Sequence, residues 1–369
     1  MNRLKAQRPW ARAVVFGFSA AALGCGDDSA AGGGGAGGGT GGTPISDLTE
    51  LSCPTPGLLP FVTETNAFAS DDNAFTAEGS PRSKDEASDT LGVPGGPRAN
   101  TYVAAEQATP ATDQPYDGKK ARTGNSAGLS AVALRGEAVS LWTYDPAAQA
   151  WLTLGRTDTD DEGAYSIART GGSTELGRPV YSILEADGSC AEHYEYLLDP
   201  GTQVIITDID GTLTLSDEEL FQQISDGAYV PVQMGSAAEL VSAWADKGYV
   251  IIYMTARPHM FRAETRTWLR DQGFPTGPVL TANALVVDET ARTYKASWVS
   301  RVLDDFQWDV VAAYGNAQSD IDAYEDGGVP KDITFIVGEL AGTSGTVAVE
   351  NNDYAAHITD FVEPYPDAN

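Results

Sequence analysis

TQVIITDIDGTLTL occupies residues 202–215, and its reading decides the fold. The unbroken apolar run Val204, Ile205, Ile206 predicts a strand buried on both faces, the usual condition of a strand in a parallel sheet. Asp208 and Asp210 follow at its carboxyl end, with Gly211 and Thr212 directly after. Two carboxylates this close repel each other at a strand terminus unless a cation or a shared proton compensates. Mg2+ suits such a pair, because it takes few protein oxygens and completes its shell with water and phosphate. One carboxylate can then attack a phosphoester while the other moves the proton, which splits the cleavage into two displacements.

The chain downstream supplies partners in order. YVIIYMT (249–255) is a second buried strand, and the Thr255 hydroxyl at its end can meet a phosphate oxygen. FRAETRTWLRDQG (261–273) has apolar residues spaced for one helix face. YKASWVSRVLDDF (294–306) reads as another helix, with Lys295 near its start and able to offset a carboxylate and a transferring phosphoryl group. WDVVAAYG (308–315) is a third strand, and GNAQSD (315–320) places Asn316 and Asp320 at its end and at the next helix start. Ser216 with Glu219, and Ser236 with Glu239, have the spacing of capping boxes. Strands alternating with helices predict an α/β fold with a Rossmann-like parallel sheet, whose ligands bind beyond the carboxyl ends of the strands. Only about twenty residues separate Thr214 from Ser236, too few for a large cap domain. Arg257 and Arg262 follow the second strand; they meet a second anionic group or are solvated helix-start arginines. His259 is also close, but Asp210 already fills the acid/base role.

The ordered set VIITDIDGTLTLSD, YMTARP, TRTWLRDQGFPTGPVL, YKASWVSRVLDDF and AAYGNAQSDIDAYEDGGVP resembles the haloacid dehalogenase-like superfamily, and within it the catalytic domain of the lipin family of phosphatidate phosphatases. The likeness runs from about residue 201 to 340. It implies that Asp208 is the nucleophile and a magnesium ligand, and that Asp210 is the general acid/base and a ligand through its backbone carbonyl. It further implies that Thr255 binds phosphate, Lys295 stabilises the transferring group, Asp320 completes the metal site and Asn316 orients the last loop. Gly211, Thr212 and Arg257 are expected on the substrate side. The implied activity is Mg2+-dependent hydrolysis of phosphatidate or a related lipid phosphate through an aspartyl-phosphate. A soluble phosphomonoester is the alternative substrate. A second alternative is a catalytically silent phosphatidate-binding domain, of the kind found in phosphatidylinositol-transfer proteins, where the second acidic position is replaced. The presence of Asp210 favours turnover.

The front half reads differently. Arg3, Lys5, Arg8 and Arg12 precede AVVFGFSAAALG (13–24), an apolar run too short to span a bilayer. With Cys25 directly after, this resembles a bacterial lipoprotein signal: residues 1–24 are the expected signal peptide, and 25–61 the lipidated cysteine with a Gly-rich tether. An ordinary secretory signal is the alternative. The expected location is the bacterial cell envelope, as an exported lipoprotein facing the periplasm and held to the membrane by its N-terminal anchor. Cys53 and Cys190 then form a disulfide or remain two buried thiols. Residues 62–127 are polar and expected to be mostly irregular. From 128 to 200, short alternating segments such as AVSLWTYD (138–145) and AWLTLG (150–155) predict a small antiparallel β-sandwich resembling transthyretin-like or immunoglobulin-like accessory domains, with Trp142, Trp151 and Tyr165 in its core. Residues 201–369 form the α/β domain. The 52 acidic residues outweigh 23 basic ones, giving a net charge of -29 with no basic stripe, which argues against a nucleic-acid partner.

Overall fold

The computed structural model describes residues 69, 82–85, 89–96, 98–99, 113–121, 131–133, 135–145, 148, 150–161, 164–168, 175–186, 190–226, 228–258, 261–282, 286 and 288–369. The signal and tether expectations, Cys25, Cys53 and His259 lie outside these residues, as does the side chain of Cys190.

Ten strands precede the α/β region: β1 (Arg82–Asp85), β2 (Thr90–Gly92), β3 (Arg98–Ala99), β4 (Asp113–Ala121), β5 (Ala131–Ala133), β6 (Ala138–Asp145), β7 (Ala150–Asp158), β8 (Ala164–Ala168), β9 (Glu175–Leu184) and β10 (Cys190–Leu197). One sheet runs β3-β2-β10-β9-β6-β7, and a second joins β1, β4, β5 and β8. Their pairings are antiparallel, as alternation of apolar and polar residues predicts, except that β2 lies parallel to β10. Residues 62–127, expected to be mostly irregular, contain β1 to β4; β1 to β3 are two to four residues long, and β4, DQPYDGKKA, is almost wholly polar, so neither leaves an apolar period to read. Tyr165 is buried, while Trp142 and Trp151 are half-buried, Trp151 lying edge-on to Tyr181 at 5.3 Å between centroids.

The α/β region comprises β11 (Gln203–Thr207), α1 (Glu218–Ser225), α2 (Ala237–Asp246), β12 (Val250–Pro258), α3 (Arg262–Asp271), β13 (Val279–Ala282), α4 (Asp288–Ser300), β14 (Asp309–Gly315), α5 (Gln318–Asp326), β15 (Thr334–Ile336), β16 (Val347–Ala348) and α6 (Ala355–His357). Its sheet has the order β13-β12-β11-β14-β15-β16, and every pair is parallel. The apolar run that opened the reading is therefore the central strand β11. Its side chains alternate between two cores: Ile205 packs with Trp244, Ile251 and Tyr314, while Val204 and Ile206 pack with Ile252, Trp298 and Phe306. No helix among the described residues is long and apolar enough to cross a membrane.

The second of these cores also contains Leu91, Tyr194, Tyr196 and Leu198 from the front strands, so the two regions share apolar packing. Asp89, fully enclosed, joins them by hydrogen bonds: the Tyr194 N–H donates to Oδ1 at 2.8 Å and the Val279 N–H donates to Oδ2 at 2.7 Å. Arg266 of α3 pairs with the same carboxylate, and its guanidinium lies 4.2 Å from the Tyr194 ring centroid. A buried carboxylate needs such partners to offset lost hydration.

Neither expected capping box forms. Ser216 lies ahead of α1, whose N-cap is Asp217, and Ser236 has a left-handed backbone, φ 55°, with no side-chain cap bond. Glu219 instead accepts from the Tyr229 hydroxyl at 2.7 Å and the Val232 N–H at 2.8 Å, closing the segment between Thr214 and Ser236 on itself.

Candidate active site

β11 and its neighbours β12 and β14 deliver the acidic and hydroxyl groups to one edge of the sheet, as crossover connections in parallel sheets do. Asp208 follows β11 directly and is buried, its N–H donating to the Tyr314 carbonyl at 3.0 Å. Lys295 donates from Nζ to Asp208 Oδ1 at 2.7 Å and to Asp320 Oδ1 at 2.5 Å. The lysine lies in the middle of α4 rather than near its start, because that helix begins at Asp288, in a polar stretch with no apolar periodicity to mark it. Thr212 donates to Asp208 Oδ2 at 3.3 Å and lies 3.2 Å from Asn316 Oδ1.

Asp320, wholly enclosed near the start of α5, takes the N–H groups of Asn316 and Ala317 on Oδ2, each at 3.0 Å. These bonds satisfy backbone donors that the helix start leaves open. Gly211, at φ +71°, lets the loop pass under Asn316: a Cβ there would fall 2.1 Å from Asn316 Nδ2. Asn316 Nδ2 in turn donates to Asp217 Oδ1 at 3.2 Å, a link invisible to motif reading because Asp217 stands in an ordinary polar helix start.

Asp210 has a separate set of partners. Thr255 donates to its Oδ2 at 3.1 Å, and Arg257 donates from Nε to Oδ2 at 2.9 Å and from Nη2 to Oδ1 at 2.7 Å. Arg257 is 0% exposed. Where a second anionic group was expected, the structure places the Asp210 carboxylate against this guanidinium and encloses it. Arg262, at the start of α3, is buried as well, which removes the solvated alternative for both arginines. Thr255, expected at a strand end, sits inside β12, which continues to Pro258 through a register shift.

Burial pushes the Asp208 carboxyl up to about 8, and the Asp320 and Asp210 carboxylates add to this against the opposing Lys295 ammonium. Burial alone would discharge Lys295, but Asp208 and Asp320 outweigh it and hold the ammonium above the ordinary lysine range. With Asp208 ionised, three carboxylates, Asp208, Asp210 and Asp320, face two cations, Lys295 and Arg257, and a hard cation would offset the remaining negative charge. No cluster of three or more metal-binding side chains occurs among the described residues. The donors that could hold Mg2+ are the Asp208 and Asp320 carboxylates with the Asp210 carbonyl, and two carboxylates are within what that ion uses when water and phosphate complete its shell.

Comparison with known proteins covers this same stretch. Residues 205–338 match the LNS2 domain of PITM 1-3. That LNS2 family belongs to the haloacid dehalogenase-like superfamily, in agreement with the motif order. Membrane-associated phosphatidylinositol transfer protein 3 of Mus musculus is 29% identical over 270 residues, 71% of this chain and 25% of its own length. Membrane-associated phosphatidylinositol transfer protein 2 of Homo sapiens is 31% identical over 241 residues, 63% of this chain and 17% of its own. The chain therefore spans a quarter or less of the length of these two relatives. Among solved structures, a phosphoserine phosphatase in apo form aligns at 14% identity and a TM-score of 0.33, over 43% of this chain and 98% of that one. The LNS2 match lies on the phosphatidylinositol-transfer side of the resemblance drawn from the motifs, and it embraces Asp208, Asp210, Thr255, Lys295 and Asp320.

Proposed function

We propose that residues 201–369 are a Mg2+-dependent phosphatase acting through an aspartyl-phosphate, with phosphatidate or a related lipid phosphate as substrate. The observation that carries this reading is the separate partnering of two carboxylates two residues apart: Asp208 on Lys295 and Thr212, Asp210 on Arg257 and Thr255. Two acids held in different environments are suited to different tasks. Asp208 attacks phosphorus, and the bond to the leaving oxygen breaks as Asp210 supplies its proton. Water then attacks the phosphorus of the aspartyl-phosphate, Asp210 accepts the water proton, and inorganic phosphate departs with Asp208 restored. Lys295 faces the developing negative charge, Thr212 and Asn316 orient the phosphoryl oxygens, and Thr255 donates its hydroxyl to the Asp210 carboxylate. Bound Mg2+ would supply charge neutralisation at the transferring phosphoryl group.

A second observation supports a lipid over a soluble ester. Of the exposed large apolar residues, Leu215, Phe221, Val230 and Val232 all fall in the short segment beside the site, at 49% to 60% exposure. On its inner side the same segment reaches the site through Asp217 to Asn316 and through Gln223 to Arg257. Exposed apolar side chains on a segment tied to the site suit a headgroup presented from a lipid surface. An N-terminal acyl anchor at Cys25, on an exported lipoprotein facing the periplasm, would hold the site near such a surface. We assign the front strands to a small β-sandwich accessory module.

The LNS2 match favours one rival reading, a lipid-binding domain, which the motif resemblance would make a binder of phosphatidate without turnover. Phosphate release by the full chain with Mg2+, from phosphatidate in mixed micelles and from a panel of soluble phosphomonoesters, separates the readings. Preference for phosphatidate that vanishes in Asp208→Asn supports lipid hydrolysis. Preference for a soluble ester moves the substrate, and phosphatidate binding with no release from any ester removes the enzyme reading.

A further inference from the structure

We infer that Arg257 is a positioning residue for this reaction, aiming the Asp210 carboxylate at the leaving-group oxygen, rather than a residue that binds substrate. The inference rests on the phosphatase reading above. Asp210 keeps 16% of its side chain open while Arg257 is closed off entirely, so the arginine stands behind the acid and the acid faces outward. The guanidinium fork holds both carboxylate oxygens, which fixes the plane of the carboxylate as well as its place. Arg257 is itself held from behind: Nη1 lies 3.3 Å from Thr265 Oγ1 on α3 and 3.2 Å from Gln223 Oε1 on α1, and its own N–H donates to Thr255 Oγ1 at 3.1 Å. Thr255 also donates to Asp210, so one hydroxyl ties acid and arginine to the same strand.

A compact ammonium cannot reproduce a planar fork, and a misplaced acid costs most where the departing group needs a proton. The first displacement moves a proton from Asp210 to an alkoxide leaving group, whereas p-nitrophenolate departs without one. The second displacement needs Asp210 as base with either substrate.

The test uses the full chain with Mg2+ and compares glycerol phosphate with p-nitrophenyl phosphate. In Arg257→Met, kcat on glycerol phosphate should fall by about 100-fold or more with KM within about threefold. On p-nitrophenyl phosphate a rapid burst of one nitrophenolate per protein should survive, followed by a slow steady state. Arg257→Lys should recover little of the loss. Thr265→Val, which touches Arg257 but not Asp210, should show a smaller kcat loss of the same leaving-group dependence while retaining the wild-type melting temperature, and it keeps the test open if Arg257→Met fails to fold. A raised KM with kcat preserved assigns Arg257 to substrate binding and overturns the inference. Equal losses on both esters without a burst also overturn it. A wild type that releases no phosphate from any ester removes the phosphatase reading, and this role with it.

Discussion

Lys295 and Asp320 meet at 2.5 Å in a pocket that excludes solvent from both side chains, with Asp208 on the same ammonium. Lys295→Met would leave two enclosed carboxylates with no basic partner. Removing one member of a buried pair costs roughly 3–5 kcal/mol. The variant should melt well below wild type in chelator, and Mg2+ should return more of the lost stability to it than it adds to wild type. Calorimetry with and without the ion reads both effects; a variant that melts like wild type in chelator refutes the charge balance described here.

Gly211→Ala tests the crossing of the two loops. An alanine at φ +71° carries about 1–2 kcal/mol of backbone strain, and its Cβ would meet Asn316 Nδ2 at 2.1 Å and Asp217 Oδ1 at 2.6 Å. Asn316 must move, and with it the loop that holds Asp320. Turnover should fall by about 10-fold or more, with a smaller drop in melting temperature than Lys295→Met. Wild-type turnover in this variant would show that the loops separate without consequence.

Asp89→Ala should destabilise the protein by roughly 3 kcal/mol or more, because it removes the acceptor of the Tyr194 and Val279 N–H groups and the carboxylate that pairs with Arg266. Chemical denaturation is the measurement. Native-state hydrogen exchange should show the Val279 amide losing protection first, and unchanged protection there would contradict the shared interface.

His357 predicts a stability that depends on pH. Burial holds its imidazole down, to about 4 from an ordinary 6.5, and its Nε2 lies 2.9 Å from the Tyr314 hydroxyl, which takes the Trp244 indole N–H at 2.8 Å. Because tryptophan only donates, the hydroxyl's own hydrogen is free to go to a neutral Nε2. Between pH 4 and 6.5 the unfolded chain binds the proton that the native one refuses, so the contribution is present above 6.5 and is lost as pH falls toward 4. The ring is partly exposed, which reduces the effect to the order of 1–2 kcal/mol. His357→Gln, which keeps an acceptor and does not titrate, should flatten the change in melting temperature between pH 7 and pH 4; an unchanged slope would place the effect elsewhere.

The sequence carried the central strand and the groups at its carboxyl edge, because an unbroken apolar run ending in DIDGT leaves few folded alternatives. Asp208, Asp210, Thr255, Lys295, Asn316 and Asp320 do converge. What escaped reading was partnership across the chain. In the sequence Arg257 follows an apolar run as any exposed arginine would, and only the packed structure places it inside β12 and commits it to Asp210. Asp89 sits in a polar stretch, and its partners Tyr194 and Val279 stand 105 and 190 residues further on, beyond any local pattern. The capping boxes failed for the opposite reason: their spacing is local, but Glu219 bonds Tyr229 and Val232 instead, and Ser236 takes a left-handed backbone with no side-chain cap bond.

The common core of Leu91, Tyr194, Tyr196 and Leu198 with Val204 and Ile206 makes the front sheet a handle for the parallel sheet. Whatever grips that handle also sets the bearing of the sheet end that carries Asp208 and Asp210, so a partner that turned the front strands would carry those two carboxylates with them.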